Sequence, residues 1–358
     1  MAVQNYFFQN KRILVTGHTG FKGGWLSLWL SNLGALVYGY SLDPIKESPS
    51  FFHVAKVKDV LSGDIRADIA DREKLNRVIK EVKPTIIFHL AAQPLVRESY
   101  RDPLYTFYTN SIGTANLLDA ARNVDSIKAI VIVTTDKVYA NMDIKQPYLE
   151  DDALGGHDPY SASKAMAEIV TASYRSSFFS GSNQQNTFIA TARAGNVIGG
   201  GDWSSDRLVP DCLHAFYEKK KVILRYPQSL RPWQHVLEPL SGYLKLAEKL
   251  CSSDARVFEK GWNFGPNEKD DATVGEVANK MAALFSLNHD YIITNEMNHF
   301  HEAKILKLDS SKAKKELAWH PQWSLDTSLG LTVDWYKAWK QQEDMQAYSF
   351  DQILRYNI

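Results

Sequence analysis

Tyr160 and Lys164 stand four residues apart in Tyr160-Ser161-Ala162-Ser163-Lys164, a spacing that puts both on one helix face, one turn apart. A phenol with an ordinary pKa near ~10 is a poor base at neutral pH. An ammonium beside it favours the phenolate and lowers that value, so the pair can take a proton from a substrate hydroxyl. Upstream, the apolar run from Ala129 leads into Thr134-Thr135-Asp136-Lys137-Val138-Tyr139. It reads as a strand whose hydroxyls fall at its carboxyl end, where open α/β sheets bind ligands. Thr135 is placed there to hydrogen-bond the hydroxyl that Tyr160 deprotonates. Asp136 and Lys137 add an acid and a base side by side. A simple dehydrogenation needs neither. An elimination needs both, one to take a proton from carbon and one to protonate the departing hydroxyl. A surface ion-pair turn is the plainer alternative for these two residues.

Gly17-His18-Thr19-Gly20-Phe21-Lys22-Gly23 follows the β-branched run Arg12 to Thr16 and opens a helical stretch. Glycines there let the backbone approach a pyrophosphate, whose charge sits against the helix N-terminus. The spacing is Gly-x-x-Gly-x-x-Gly rather than Gly-x-Gly-x-x-Gly. Gly17, Thr19, Gly20, Phe21, Lys22 and Gly23 are therefore expected to hold a dinucleotide, and its nicotinamide charge would act on Tyr160 in the same direction as Lys164. An acid closing the second strand should take the adenosine ribose. Ser41 occupies that place and Asp43 follows, so Asp43 is a shifted ribose ligand or a turn cap. No arginine adjoins Asp43 in sequence to pair with a 2′-phosphate, which favours NAD over NADP. Asp64 and Ile65 end the third strand, where a carboxylate accepts from the adenine amine. Ala91-Ala92-Gln93 ends the fourth, small residues that let the cofactor lie close, and Thr134 borders it at the end of the fifth.

The elements that position these groups alternate. Strands are expected at 12–16, 36–42, 60–65, 85–90, 129–135 and 188–192. Helices are expected at 21–32, 71–82 with Asp71 as cap, 102–122 and 158–179. Strands apolar on both faces and joined by helices imply a parallel sheet covered on both sides. Right-handed crossovers wind it doubly. The fold class is α/β, Rossmann-type. After Gly199-Gly200-Gly201 the alternation fades, and Trp203, Pro210, Arg225, Pro227, Arg231, Pro232 and Trp233 crowd the chain. The expected division is a dinucleotide-binding region over 1–199 and a smaller mixed α/β substrate-binding region over 200–358, some of it packing back on the first.

Composition narrows the classes. The 358 residues are 44% hydrophobic and 23% charged, enough for a sizeable core. The 41 basic and 41 acidic side chains cancel, so no global field draws nucleic acid or an anionic membrane. Cys212 and Cys251 form no Cys-x-x-Cys, which reads as free thiols in a reducing compartment. His299 and His301 flank Phe300 with no further ligand cluster nearby, so no metal is expected. Gly24 to Leu42 carries no charge and approaches membrane-spanning length. Asn32-Leu33-Gly34 breaks it and serines dilute it, so it reads as a helix, a turn and a buried strand. With no secretory signal visible, the expectation is a soluble cytoplasmic protein.

Taken together, Gly17 to Gly23, His89-Leu90-Ala91-Ala92-Gln93, Thr135 to Tyr139 and Tyr160 to Lys164 resemble the extended short-chain dehydrogenase/reductases. Over nearly its whole length the chain resembles their nucleotide-sugar 4,6-dehydratases, most of all the group acting on CDP-glucose for 3,6-dideoxyhexose and O-antigen synthesis. Dehydratases of dTDP-glucose carry Thr-Asp-Glu-Val-Tyr, with the glutamate as base at C5. Lys137 stands at that position here, as in the CDP-glucose group. A lysine acts as a base only when desolvation or neighbouring cations lower its pKa. Lys164 and NAD push that way and Asp136 opposes. The resemblance implies a cycle. Tyr160 takes the C4 hydroxyl proton as hydride passes to NAD. Lys137 removes the C5 proton and Asp136 protonates the departing C6 hydroxyl. Hydride then returns to C6 and a proton to C5. It also implies diphosphate contacts from Asn196, Arg207 and Arg231, because a guanidinium fork suits phosphate, and Tyr226 stacked on the pyrimidine. A homo-oligomer, dimer or dimer of dimers, is implied through the helix over 102–122 and the one carrying Tyr160. Competing readings are a dehydratase or epimerase of GDP-, UDP- or dTDP-sugars, or a catalytically inert NAD-sensing protein. The Asp136–Lys137 pair argues against an epimerase.

Overall fold

β1 (Arg12–Thr16), β2 (Leu36–Ser41), β3 (Gly63–Arg66), β4 (Ile86–His89), β5 (Ala129–Val133), β6 (Phe188–Arg193) and β7 (Gly261–Asn263) form one sheet in the order β7-β6-β5-β4-β1-β2-β3. Every neighbouring pair is parallel. The computed structural model describes residues 6–44, 48–140, 146–179, 186–294 and 305–356. The strand order reverses between β1 and β4, where Thr16 lies in register with His89. This is the switch point at which doubly wound sheets open a ligand crevice.

The uncharged stretch after Gly24 resolves into α1 (Phe21–Asn32) and β2. Trp25, Leu26, Leu28, Trp29 and Leu30 of α1 are all buried, as expected of a helix that is apolar all round. Trp25 Nε1 donates to Gly200 O at 2.9 Å, tying the first helix to the far half of the chain. Among the described residues no helix is long and apolar enough to cross a membrane. α2 (Arg72–Val82) starts at Asp71, which accepts from Lys74 N at 3.0 Å.

Several boundaries differ from the sequence expectation. The third strand begins at Gly63 because Val57–Val60 winds into a 3-10 turn. β3 is half-buried throughout, an edge strand rather than one apolar on both faces. The helix expected over 102–122 is Pro103–Phe107, a π turn at Tyr108–Ile112, then Gly113–Ala121. The one expected over 158–179 is α3 (Pro159–Tyr174) followed by a π turn at Arg175–Phe179.

Beyond residue 199 the chain contributes β7 and α4 (Leu237–Lys249) to the main sheet and its core. A separate cluster gathers Val209, Leu213, Phe216, Val277, Met281 and Leu329. Around it lie short pairs: Val222–Leu224 with Ile292–Thr294, Leu230–Arg231 with Ala272–Thr273, and Val197–Ile198 with Gln234–His235.

Candidate active site

The catalytic face of α3 is set by its start. Asp158 accepts from Ser161 N at 2.9 Å, Ser161 Oγ bonds back to the Asp158 amide, and Pro159 fills the first turn. These are strong start signals. They place Tyr160 in the first turn and Lys164 one turn on, both buried. Lys164 Nζ donates to Val133 O at 2.9 Å, pinning α3 to the end of β5. There Thr135 is extended and caps a single 3-10 turn, Asp136–Val138. That turn sends Asp136 inward, 1% exposed, and leaves Lys137 half-buried.

Thr135 Oγ1 donates to Asp136 Oδ1 at 2.9 Å and lies near enough to Tyr160 to pull on its phenol. Asp136 Oδ2 is buried with no hydrogen-bond partner among the described residues. It fits only because residue 195 is glycine: a Cβ there would fall 1.8 Å from Oδ2.

These groups share one cavity of about 280 Å³. Thr134, Thr135, Asp136, Lys137 and Tyr160 form one wall, and Asn196, Arg207, Tyr226 and Arg231 another. Lys22 opens into the same space from the glycine turn. Asn196 takes a left-handed backbone, φ 34°, which asparagine tolerates better than most residues. Arg207 pairs with Asp202 at 3.1 Å. Arg97 and Arg225 both reach Asp206, at 2.7 and 3.3 Å. Arg231 is buried and donates to Leu230 O at 2.9 Å.

Burial sets the charges. It pushes the Tyr160 phenol up to about 12, against the pull of the Thr135 hydrogen bond and the Arg207 charge. The net direction is opposite to the one expected, because burial outweighs the neighbouring cations. Arg207 is the cation that pulls on the phenol in the resting protein, and the Lys164 ammonium, one turn behind Tyr160, donates to the Val133 carbonyl. Burial also brings Lys164 down to about 8, opposed by Glu168. Lys22 falls to about 8 through burial and the charges of Arg207 and Lys164, opposed by Asp136 and Asp202.

The crevice between β1 and β4 fits a dinucleotide's pyrophosphate. A Cβ at Gly17 would meet Ala91 N at 2.7 Å, and one at Gly23 would meet Gly17 O at 2.1 Å. Gly20 leaves the start of α1 without a side-chain cap, so its first N–H groups face outward for an anion. Phe21 lies toward Gly199, and Ala91 and Ala92 are half-buried beside the turn.

Other expected cofactor contacts are already engaged within the protein. Thr19 Oγ1 bonds Ser41 Oγ at 2.8 Å and Leu42 O at 3.0 Å. Gln93 Nε2 donates to Leu95 O and Thr106 Oγ1. Asp64 accepts from His18 Nε2 and Arg66 Nη2, both at 2.9 Å, while Ile65 is half-buried beside it. Asp43 is 73% exposed, and Arg66 Nε lies 3.7 Å from it. The expectation that no arginine adjoins Asp43 therefore fails in space. Arg66 is the cross-strand partner of Ser41, a neighbour that chain order hides.

Sequence reasoning missed four residues. His18 is buried, bonded to Asp64 and packed where a Cβ on Gly39 would lie 2.4 Å from its ring. Asn110, in the π turn, bonds Gln93 N, Gln93 O and Ser163 Oγ. Glu168 and Arg193 form a buried ion pair at 2.9 Å. Only Glu168 carried a signal, one turn beyond Lys164. Among the described residues no cluster of three His, Cys, Asp or Glu could hold a metal ion, and His299 and His301 lie outside the described residues.

Residues 14–331 match the family described as GDP-mannose 4,6 dehydratase. The CDP-glucose 4,6-dehydratase of Salmonella typhimurium is 49% identical over 99% of this chain and 98% of its own length. The chain belongs to the nucleotide-sugar 4,6-dehydratase family. Its fold is shared more widely. The UDP-glucose 4-epimerase of Thermotoga maritima, solved with UDP-glucose, superposes with a TM-score of 0.80 at 22% identity, covering 93% of this chain and 100% of that one. The dTDP-glucose 4,6-dehydratase of Bacillus anthracis, solved with NAD, gives 0.77 at 24% identity over 93% and 98%. Fold therefore separates this family from epimerases poorly. A distinction between them has to come from the side chains of the site rather than from the fold.

Proposed function

We propose that this member of the family is a hydro-lyase that converts CDP-glucose to CDP-4-keto-6-deoxyglucose, with NAD regenerated in each turnover. The carrying observation is the single cavity in which Tyr160, Thr135, Asp136 and Lys137 converge. The Salmonella relative supports the choice of nucleotide.

When bound, NAD would supply the hydride acceptor for C4 and the hydride donor for C6. Gly17, Gly20 and Gly23 would hold its pyrophosphate, and Ala91, Ala92, Thr134, Tyr160 and Lys164 would border its nicotinamide end. Tyr160 takes the C4 hydroxyl proton with Thr135 bonded to the same oxygen. With its phenol up at about 12 in the resting protein, Tyr160 needs positive charge drawn close before it ionises. Once C4 is a ketone, the C5 proton is acidic and Lys137 removes it. Asp136, sequestered from water, protonates the departing C6 oxygen, and hydride addition at C6 is matched by return of a proton to C5, so that one water is lost overall. Asn196, Arg207 and Arg231 take the diphosphate, and Tyr226 stacks on the base.

The same reading places the protein in the cytoplasm, making a precursor of 3,6-dideoxyhexoses for O-antigen. It divides the chain into a cofactor region, 1–199, and a substrate region, 200–358, that lends β7 and α4 to the first. Leu104, Tyr108, Ile112, Met166 and Ile169 are exposed apolar residues on the two helices expected to form the contact between copies. Large exposed apolar side chains on adjoining helices favour a protein interface, and a homodimer covers them.

Purified protein with NAD, given CDP-, dTDP-, UDP- and GDP-linked hexoses in turn, tests this by mass spectrometry. Loss of one water from CDP-glucose alone is expected. Water loss from another sugar overturns the nucleotide choice. Interconversion without water loss makes the protein an epimerase.

A further inference from the structure

Behind the catalytic pair lies a buried carboxylate that the proposed cycle does not use. Glu168 follows Tyr160 and Lys164 on α3 at four-residue intervals, so the three share one helix face. It is 5% exposed, and both its oxygens are saturated. Oε1 accepts from Thr134 Oγ1 at 2.6 Å and Arg193 Nε at 2.9 Å. Oε2 accepts from Thr191 Oγ1 at 2.6 Å and Arg193 Nη2 at 3.0 Å. Those donors come from the end of β5 and from β6, so one carboxylate clamps both strand ends to the catalytic helix. Thr134 precedes Thr135, which neighbours Tyr160. Arg193 in turn donates from Nη1 to the Tyr139 hydroxyl and to Glu150 O, both at 2.8 Å.

The charges around Lys164 are few. Tyr160 and Glu168 face it from α3, Lys22 from α1, and His89 from β4. Burial keeps His89 neutral, at about 3, and Lys22 is a like charge. Around Glu168 stand Arg193 and, less directly, Arg175.

We propose that Glu168 is a positioning residue for the Tyr160–Lys164 pair: fixed by Thr134, Thr191 and Arg193, it holds β5 and β6 against the catalytic helix and sets a carboxylate one turn behind Lys164. A packing role alone would be met by an apolar side chain of similar volume, which is often no less stable than a buried ion pair. The structure instead retains a charge in contact with a threonine of the active-site strand. The inference rests on the proposed use of Tyr160 as base but not on which nucleotide sugar is bound.

The sign of the effect follows. Lys164 must be protonated to act, so turnover falls as pH rises through its pKa, about 8 in the intact protein. Removing the Glu168 charge lowers that value further. In Glu168→Gln the basic limb of the kcat–pH profile should move down by about one unit or more, with little change in the KM for the nucleotide sugar. Glu168→Asp keeps the charge, and its limb should stay near that of the wild type even where kcat drops. A limb unmoved in Glu168→Gln, with only the melting temperature lowered, overturns the proposal.

Should Glu168→Gln fail to fold, Thr191→Val removes one tether and leaves every charge in place. It should lower kcat with KM unchanged, and an effect confined to melting temperature would count against the clamp. Titration of the Lys164 side chain in the resting proteins, followed by carbon-13 NMR of labelled lysine, needs no substrate. It therefore separates failure of this inference from failure of the proposed reaction: a Lys164 pKa equal in wild type and Glu168→Gln overturns the inference whatever the enzyme turns over.

Discussion

The two walls of the cavity hold their charged groups by opposite means. On the sheet side Tyr160, Lys164, Thr135 and Asp136 are all buried, and each is fixed by a short local device: a helix cap, a backbone carbonyl at 2.9 Å, a hydroxyl at 2.9 Å. On the facing side Arg231 is buried too, but Arg207 and Arg97 are each about one-third exposed and are steadied by Asp202 and Asp206. An ion pair exposed on both sides, as Arg97–Asp206 is, contributes little to stability, about 0–1 kcal/mol, and can exchange partners when a diphosphate arrives. The chemistry is preorganised and the recognition is adjustable. Substitutions on the two walls should accordingly damage different kinetic constants.

The largest effect belongs to the sheet side. Tyr160→Phe keeps the ring and its packing but removes the base, and kcat should drop by about 10³-fold, within the usual range for positioned acid–base groups. NAD should still bind, as followed by calorimetry; a near-normal kcat would show that another group takes the C4 proton. Next comes Gly195→Ala. The added methyl would fall 1.8 Å from Asp136 Oδ2, so the carboxylate must swing away. A displacement of about 1 Å at a reacting group costs on the order of 10²-fold. Circular dichroism should show the fold intact, and full activity would mean that the placement of Asp136 is not critical. The smallest effect is on the other wall. Arg207→Lys retains the charge acting on Tyr160 but loses the fork. The KM for the nucleotide sugar should rise about tenfold, the loss of one charge-assisted bond, with kcat little changed. A tenfold fall in kcat at constant KM would erase the contrast between the walls.

That contrast also marks what chain order could reveal. The glycine turn, the Thr134–Lys137 strand end and the Tyr160–Lys164 helix were readable because each is a local pattern whose spacing fixes its geometry. The seventh strand was not foreseen as one. Gly261–Asn263 is only three residues long and joins β6 from some seventy residues away. Cross-strand neighbours were invisible for the same reason: Arg66 meets Asp43 because β3 pairs with β2. His18 passed as an ordinary position in the glycine turn, yet it is buried against Gly39 and bonded to Asp64. Tyr160 shows a further limit. Spacing correctly joined it to Lys164, but the direction of its pKa depended on burial, which no spacing reports.

The most direct test follows the hydrogen that leaves C4. CDP-glucose carrying deuterium at C4 would be turned over with unlabelled NAD and the product read by proton NMR and mass spectrometry. The expected product is a 4-keto-6-deoxy sugar with that deuterium at C6, since the hydride taken from one carbon returns to the other within a single cavity. A dehydrated product lacking deuterium at C6, or a sugar inverted at C4 with its water retained, would contradict it.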